Sequence, residues 1–220
     1  MKTSEFSVAK EGFPFILLCA FAALICSMLQ YQYAGLGALL ATVFVTYFFR
    51  DPDRILPEEE NAAVSPADGK VIRTEEIFDD RFLHKKAVKI SIFMNVFDVH
   101  VNRIPLSGRV RRIIFQPGRF YAADKDKAVL HNEYCAVLVS TAAGQEYAVV
   151  QIAGLIARRI ICRAEAGDQV KTGERFGLIR FGSRVDIYLP EGTETAVQIG
   201  QRVRAGETVL GRLKAQTAIS

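Results

Sequence analysis

Gly167-Asp168-Gln169-Val170-Lys171-Thr172-Gly173-Glu174 is followed 33 residues on by Gly200-Gln201-Arg202-Val203-Arg204-Ala205-Gly206-Glu207, and the two stretches agree at Gly, Val, Gly and Glu. Each reads as a turn leading into a strand, with glycine at the points where the backbone needs angles that other residues resist. Upstream, from Arg50-Asp51-Pro52-Asp53 onward, short apolar runs are separated by Gly, Pro and Asp, and helical periodicity is weak. The pattern predicts strands at Val88–Phe93, Arg109–Phe115, Cys135–Ser140, Tyr147–Ile152 and Ile160–Arg163. The fold class expected is therefore mainly β (α+β), a single domain over residues 50–220.

The paired Gly-x-x-Val-x-x-Gly-Glu stretches are the pattern of biotinyl and lipoyl carrier hairpins. A carrier would present its modified lysine between the two halves, but Arg175–Ile199 contains no lysine. The hairpin feature therefore points to a fold, and the carrier function is disfavoured.

Residues 1–49 have a different character. No charged residue occurs between Glu11 and Arg50, a longer apolar reach than one membrane-spanning helix needs. Gln30-Tyr31-Gln32-Tyr33-Ala34-Gly35 interrupts it with polar and interfacial side chains suited to a turn at a headgroup layer. Two apolar helices, Phe13–Leu29 and Leu36–Phe49, are expected, forming a hairpin that spans or lies in the interface. A hairpin puts Lys2 and Lys10 on the side of Arg50 and Arg54, and the positive-inside rule makes that side the cytoplasm. The expected location is the cell membrane, with the folded domain on the cytoplasmic face.

The net charge is +4, and residues 1–49 contribute nothing to it, since Lys2 and Lys10 balance Glu5 and Glu11. The excess is concentrated. Between Val101 and Ala123 there are five arginines (Arg103, Arg109, Arg111, Arg112, Arg119) and no acid, and Arg158, Arg159 and Arg163 form a second acid-free run. Such runs attract phosphate, on nucleic acid or on lipid. The four cysteines, Cys19, Cys26, Cys135 and Cys162, have no zinc or redox spacing and read as reduced thiols.

Four segments stand in order along the chain: Ser65-Pro66-Ala67-Asp68-Gly69-Lys70, Phe97-Asp98-Val99-His100-Val101-Asn102-Arg103-Ile104-Pro105, Gly154-Leu155-Ile156-Ala157-Arg158-Arg159-Ile160 and Phe181-Gly182-Ser183-Arg184. Together they resemble the phosphatidylserine decarboxylases, in the short form of that family, over about residues 49–213. The resemblance implies that the bond between Gly182 and Ser183 cuts itself, through attack of the serine hydroxyl on the preceding carbonyl and elimination of the resulting ester. Chains 1–182 (β) and 183–220 (α) would remain together as a heterodimer, to which a higher oligomer is compatible. Ser183 would become a pyruvoyl cofactor, a carbonyl that forms a Schiff base with an amine and draws electrons from a departing carboxylate. No metal and no nucleic acid are implied.

The same resemblance assigns roles. His100 matches the family's base and proton donor, and Asp68 its acidic partner, so that Asp68, His100 and Ser183 take the parts of carboxylate, imidazole and hydroxyl. Pro66-Ala67-Asp68-Gly69 is equally an ordinary turn signature. His84 reads as a solvated turn residue, and His131 lies in a polar segment resembling the family's mobile loop. Long-form members carry a second histidine three positions before the His100 counterpart, where this chain has Phe97. Arg158 and Arg159, with Asn102 and Arg103, are the candidates for binding the phosphodiester of phosphatidylserine in an anionic membrane. A different pyruvoyl-dependent decarboxylase acting on a soluble amine and an uncut membrane-anchored adaptor are the alternative readings.

Overall fold

The computed structural model describes residues 7–118, 132–154, 159–180 and 183–214. The chain divides into two units, Met1–Asp53 and Arg54–Ser220.

In the first unit a short 3₁₀ turn at Lys10–Gly12 leads into α1 (Phe13–Met28), which packs against α2 (Gln32–Phe48). The break is tighter than the sequence suggests, because Tyr33-Ala34-Gly35 belongs to α2 instead of the turn. Gln30 takes a left-handed φ of 59°, and the Tyr31 N–H reaches back to the Cys26 carbonyl while the Gln30 N–H bonds that of Ser27. This is a Schellman cap, which closes a helix in two residues and leaves the next free to start at once. At the open end Val8 bridges Arg50, and the Ala9 N–H bonds the Phe49 carbonyl. No residue of α1 is buried, and Leu17, Leu18, Phe21 and Met28 are all more than half exposed. Lys10–Met28 is long and apolar enough to cross a bilayer by length and composition, and Gln32–Phe48 is a shorter apolar helix.

The second unit is built from strands. They are β1 (Ala62–Val64), β2 (Gly69–Asp79), β3 (Lys85–Met94), β4 (Val101–Arg103), β5 (Gly108–Gln116), β6 (Tyr134–Ser140) and β7 (Glu146–Ala153). There follow β8 (Ile160–Cys162), β9 (Gln169–Val170), β10 (Arg175–Ile179), β11 (Ser183–Pro190), β12 (Glu194–Thr195), β13 (Arg202–Val203) and β14 (Val209–Arg212). The five strands predicted from the sequence are β3, β5, β6, β7 and β8. The main sheet runs β13-β2-β3-β11-β7-β6-β5-β9, with smaller sheets β1-β14-β12 and β4-β10-β8. Val71, Ile90, Ile92, Val137, Val149, Val185 and Ile187 form the centre of the principal apolar core. A second cluster on the sheet's other face gathers Phe82, Ala136, Val150, Ile152 and Tyr188.

The sheet repeats itself about its centre. All four glycines of the paired stretches have positive φ: Gly167 (101°), Gly173 (77°), Gly200 (94°) and Gly206 (76°). Gly167 donates its N–H to Val110, as Gly200 does to Val71, while the Val110 and Val71 N–H groups return to Asp168 and Gln201. Val170 is the register partner of Gly108, and Val203 that of Gly69. Both β2 and β5 carry a bulge, between Val71 and Arg73 and between Val110 and Arg112. The equivalent segments are Pro66-Ala67-Asp68-Gly69-Lys70-Val71 and Pro105-Leu106-Ser107-Gly108-Arg109-Val110, a second repeat spaced by 39 residues.

Candidate active site

Ser183 opens β11 at the middle of the sheet, in register with Met94 of β3 on one side and Ala153 of β7 on the other. It is 0% exposed. Its hydroxyl donates to the Met94 thioether at 3.4 Å, a weak acceptor that a competing partner can displace. The Asn102 side-chain amide approaches the same sulfur at 3.8 Å and the Pro66 carbonyl at 3.5 Å, and Gln151 Nε2 donates to Asn102 Oδ1 at 2.8 Å. A chain of buried polar groups, Gln151 to Asn102 to Met94, thus ends at the serine.

After Met94 the chain turns within four residues. The Asn95 N–H bonds the Asp98 carboxylate (2.8 Å), the Phe97 N–H bonds Asn95 Oδ1 (2.8 Å) and the Asp98 N–H bonds the Asn95 carbonyl (3.1 Å). Asn and Asp suit this because their short side chains stand in for backbone partners. The turn delivers His100, 1% exposed, to the start of β4, where its carbonyl accepts the Ile179 N–H. Nδ1 of the ring lies 2.9 Å from the Asp98 carbonyl oxygen. A carbonyl can only accept, so Nδ1 carries the proton and Nε2 keeps the lone pair that a base requires.

Asp68 sits in the loop between β1 and β2, tied to β4 by the Arg103 N–H on the Pro66 carbonyl. Its carboxylate accepts the Ala205 N–H at 2.7 Å and Arg54 Nη2 at 3.1 and 2.8 Å, and Arg54 also approaches Glu207 at 3.5 Å. Burial pushes the Asp68 carboxyl above its ordinary pKa, with Arg54 opposing and nearby Asp98 adding to the rise. Asp68 bonds Arg54 and Ala205, and the Asp98 carbonyl accepts from the His100 ring.

In the other half of the sheet Ser107 occupies the place of Asp68, accepting the Thr172 N–H at 2.9 Å as Asp68 accepts that of Ala205. The fold therefore needs an acceptor here, and a neutral hydroxyl suffices. The charge on Asp68 is surplus to the turn.

Asn102 is 0% exposed, and Arg103, at 6%, donates to the Gly173 carbonyl at 3.0 Å. Both stand in the scaffold around the site. Arg159 is exposed, just before β8. Gly182, Arg158 and His131 lie outside the described residues. His84 is exposed in a turn with φ 54°, as its reading as a solvated residue anticipates.

The sequence reading missed Arg54, Met94, Asp98 as the ring's support, Gln151 and Arg184. Of these Asp98 and Arg184 stand inside the quoted motifs, and Gln151 left a signal as a polar residue inside the apolar run Tyr147–Ile152. Arg184 is wholly buried on the face opposite Ser183. It holds Asp186 at 2.6 and 3.0 Å and Ser91 at 2.8 Å, clamping β11 directly after the serine.

Comparison with known proteins shows which family the chain resembles. The family model described as phosphatidylserine decarboxylase matches residues 41–211. A phosphatidylserine decarboxylase proenzyme of Desulfotalea psychrophila is 49% identical, covering 97% of this chain and 100% of its own. Proenzymes of the same name from Syntrophus aciditrophicus and Oleidesulfovibrio alaskensis are 50% and 48% identical, over 96% and 99% of this chain and 99% and 100% of theirs.

Proposed function

Because the chain belongs to the phosphatidylserine decarboxylase family, we propose that it converts phosphatidylserine to phosphatidylethanolamine and carbon dioxide, using a pyruvoyl group made from its own Ser183. The observation that carries this reading is a completely buried serine at the head of a central strand, one hydrogen bond from a thioether.

In maturation, His100 Nε2 takes the Ser183 hydroxyl proton as the oxygen attacks the Gly182 carbonyl carbon. The peptide becomes an ester, elimination releases residues 1–182 with a Gly182 carboxylate, and the dehydroalanine left at position 183 takes up water and loses ammonia. Asp68, paired with Arg54 and close enough to Asp98 to be influenced by it, takes the part of the acidic partner that favours the imidazolium of His100. Chains 1–182 and 183–220 stay associated, because β11 remains hydrogen-bonded between β3 and β7 of the larger chain.

The residues around position 183 suit a pyruvoyl group. It needs no more room than the serine it replaces, and the Met94 thioether that accepts a hydroxyl also packs against a methyl. The group supplies a carbonyl that condenses with the substrate amine and takes the electrons left by carbon dioxide. His100 then returns a proton to the substrate carbon. Arg159, with Arg158, holds the phosphodiester, while Asn102 and Arg103 keep the site in shape. The hairpin 1–49 keeps the enzyme at the membrane, and Lys10 and Arg50, at its open end, set the domain 50–220 on the cytoplasmic side.

Release of carbon dioxide from carboxyl-labelled phosphatidylserine, alongside free serine and other soluble amino acids, tests the reading. Turnover of the lipid by the wild type, and none by Ser183→Ala, is expected. Turnover of a soluble amino acid in preference to the lipid would overturn it.

A further inference from the structure

We propose that strand β5, which carries none of the candidate catalytic residues, is an electrostatic docking edge for anionic phospholipid; this rests on the reading of the chain as a phospholipid enzyme.

The bulge between Val110 and Arg112 is the starting point. Val110 and Ile113 both turn toward the core, so the two residues between them, Arg111 and Arg112, both stay exposed. With exposed Arg109, this places three guanidinium groups within four residues. None makes an ion pair with a described residue. Among the described residues Arg109 donates to the Gly167 carbonyl. The neighbouring acids are engaged in turns, Asp168 accepting the Glu165 N–H and Glu174 that of Lys171. Arg109, Arg111 and Lys171 line one surface groove.

The structure contains its own control. Strand β2 has the same bulge and the same place at the other end of the sheet, so any demand of the fold for positive charge would act on it equally. At the positions equivalent to Arg109, Arg111 and Arg112 it carries Lys70, Ile72 and Arg73, and where β5 has Ile114 and Phe115 it has Glu75 and Glu76. Glu75 reaches Arg73 at 4.0 Å and Lys89 at 3.3 Å. Thus β2 is neutralised locally, and among the described residues β5 is not. Protection of a sheet edge against aggregation accounts for charge on an edge strand, but not for Phe115, which is 55% exposed on the same strand. Exposed arginines with no described counter-charge match a surface of anionic headgroups, and an exposed aromatic on the same strand suits its apolar margin.

The test uses the full chain, with flotation on vesicles of phosphatidylcholine alone and with phosphatidylglycerol, so that the hairpin's contribution appears in both. Wild-type protein should bind the anionic vesicles more tightly, by a margin that shrinks as salt rises. Arg109→Gln/Arg111→Gln/Arg112→Gln should lose about fivefold of that margin per arginine, keep its affinity for phosphatidylcholine and keep its rate on a short-chain soluble phosphatidylserine. Lys70→Gln/Arg73→Gln should retain the margin. If the triple variant does not fold, Arg111→Gln alone should show the single fivefold step. An unchanged margin in the arginine variants, an equal loss in the β2 variant, no margin in the wild type, or equally tight binding to duplex DNA at the same salt would each overturn the proposal. Absence of decarboxylation in every protein, with the margin behaving as stated, would remove the enzymatic reading and leave the docking edge.

Discussion

At the residue scale the site rests on side chains whose partners were only partly legible. Ser183, His100 and Asp68 were singled out through motifs, while the contact of the His100 ring with the Asp98 backbone carbonyl two residues away is one that no side-chain pattern encodes. The comparison of Asp68 with Ser107 separates fold from function. Asp68→Ser should preserve the capped turn yet slow cleavage, while costing about 3 kcal/mol of stability as Arg54 loses its closer partner. Self-cleavage followed by gel, and urea denaturation of the same protein, measure the two effects. The pH dependence has a definite sign. Burial raises the Asp68 pKa above 3.8, so the folded state holds this proton more tightly than the unfolded chain. The group's contribution to stability therefore falls as pH rises from 3.8 through the raised value. Denaturation midpoints across that range should show this fall, and Asp68→Asn should remove it.

At the scale of elements, β3, β5, β6, β7 and β8 were legible because each is an apolar run bounded by turn residues. Strands β2 and β11 were not, since charged side chains interrupt both, including the buried Arg184 and Asp186. The repeat at 33 residues was visible, but its companion at 39 was hidden by the different spacing, although Pro, Gly, a basic residue and Val recur in it. Gly69 and Gly108 hold equivalent places, where an added Cβ would lie 2.2 Å from the Phe93 carbonyl oxygen and 2.4 Å from that of Ser140. Gly108→Ala should therefore cost about 1–3 kcal/mol through overpacking yet leave the cleavage rate intact below its melting temperature. Gly69→Ala, beside Asp68, should impair both. Equal effects of the two on cleavage would contradict the assignment of the chemistry to one half. The fold also joins two thiols that the spacing kept apart. Cys135 on β6 and Cys162 on β8 shift one another's ionisation: the neighbouring Cys135 thiol lowers the Cys162 pKa to about 7, while Cys162 and burial raise that of Cys135. Alkylation by iodoacetamide should thus select Cys162 and rise with pH through about 7.

At the scale of the whole molecule, an apolar hairpin precedes a sheet whose halves repeat each other, one carrying the proposed serine chemistry and the other a basic edge without a counter-charge among the described residues. Deleting residues 1–49 should lower activity on vesicles far more than on short-chain soluble phosphatidylserine, because it removes local lipid concentration and leaves the site alone. Equal losses on both substrates would mean that the hairpin shapes the catalytic unit. The central claim, that the protein makes its cofactor by cutting itself, is tested most directly by the intact mass of the purified protein. The account predicts two species, 1–182 and 183–220, the smaller one lighter by one ammonia than a serine-headed peptide, and a single uncut chain for Ser183→Ala. Active wild-type protein recovered only at full length, with Ser183 unmodified, would contradict it.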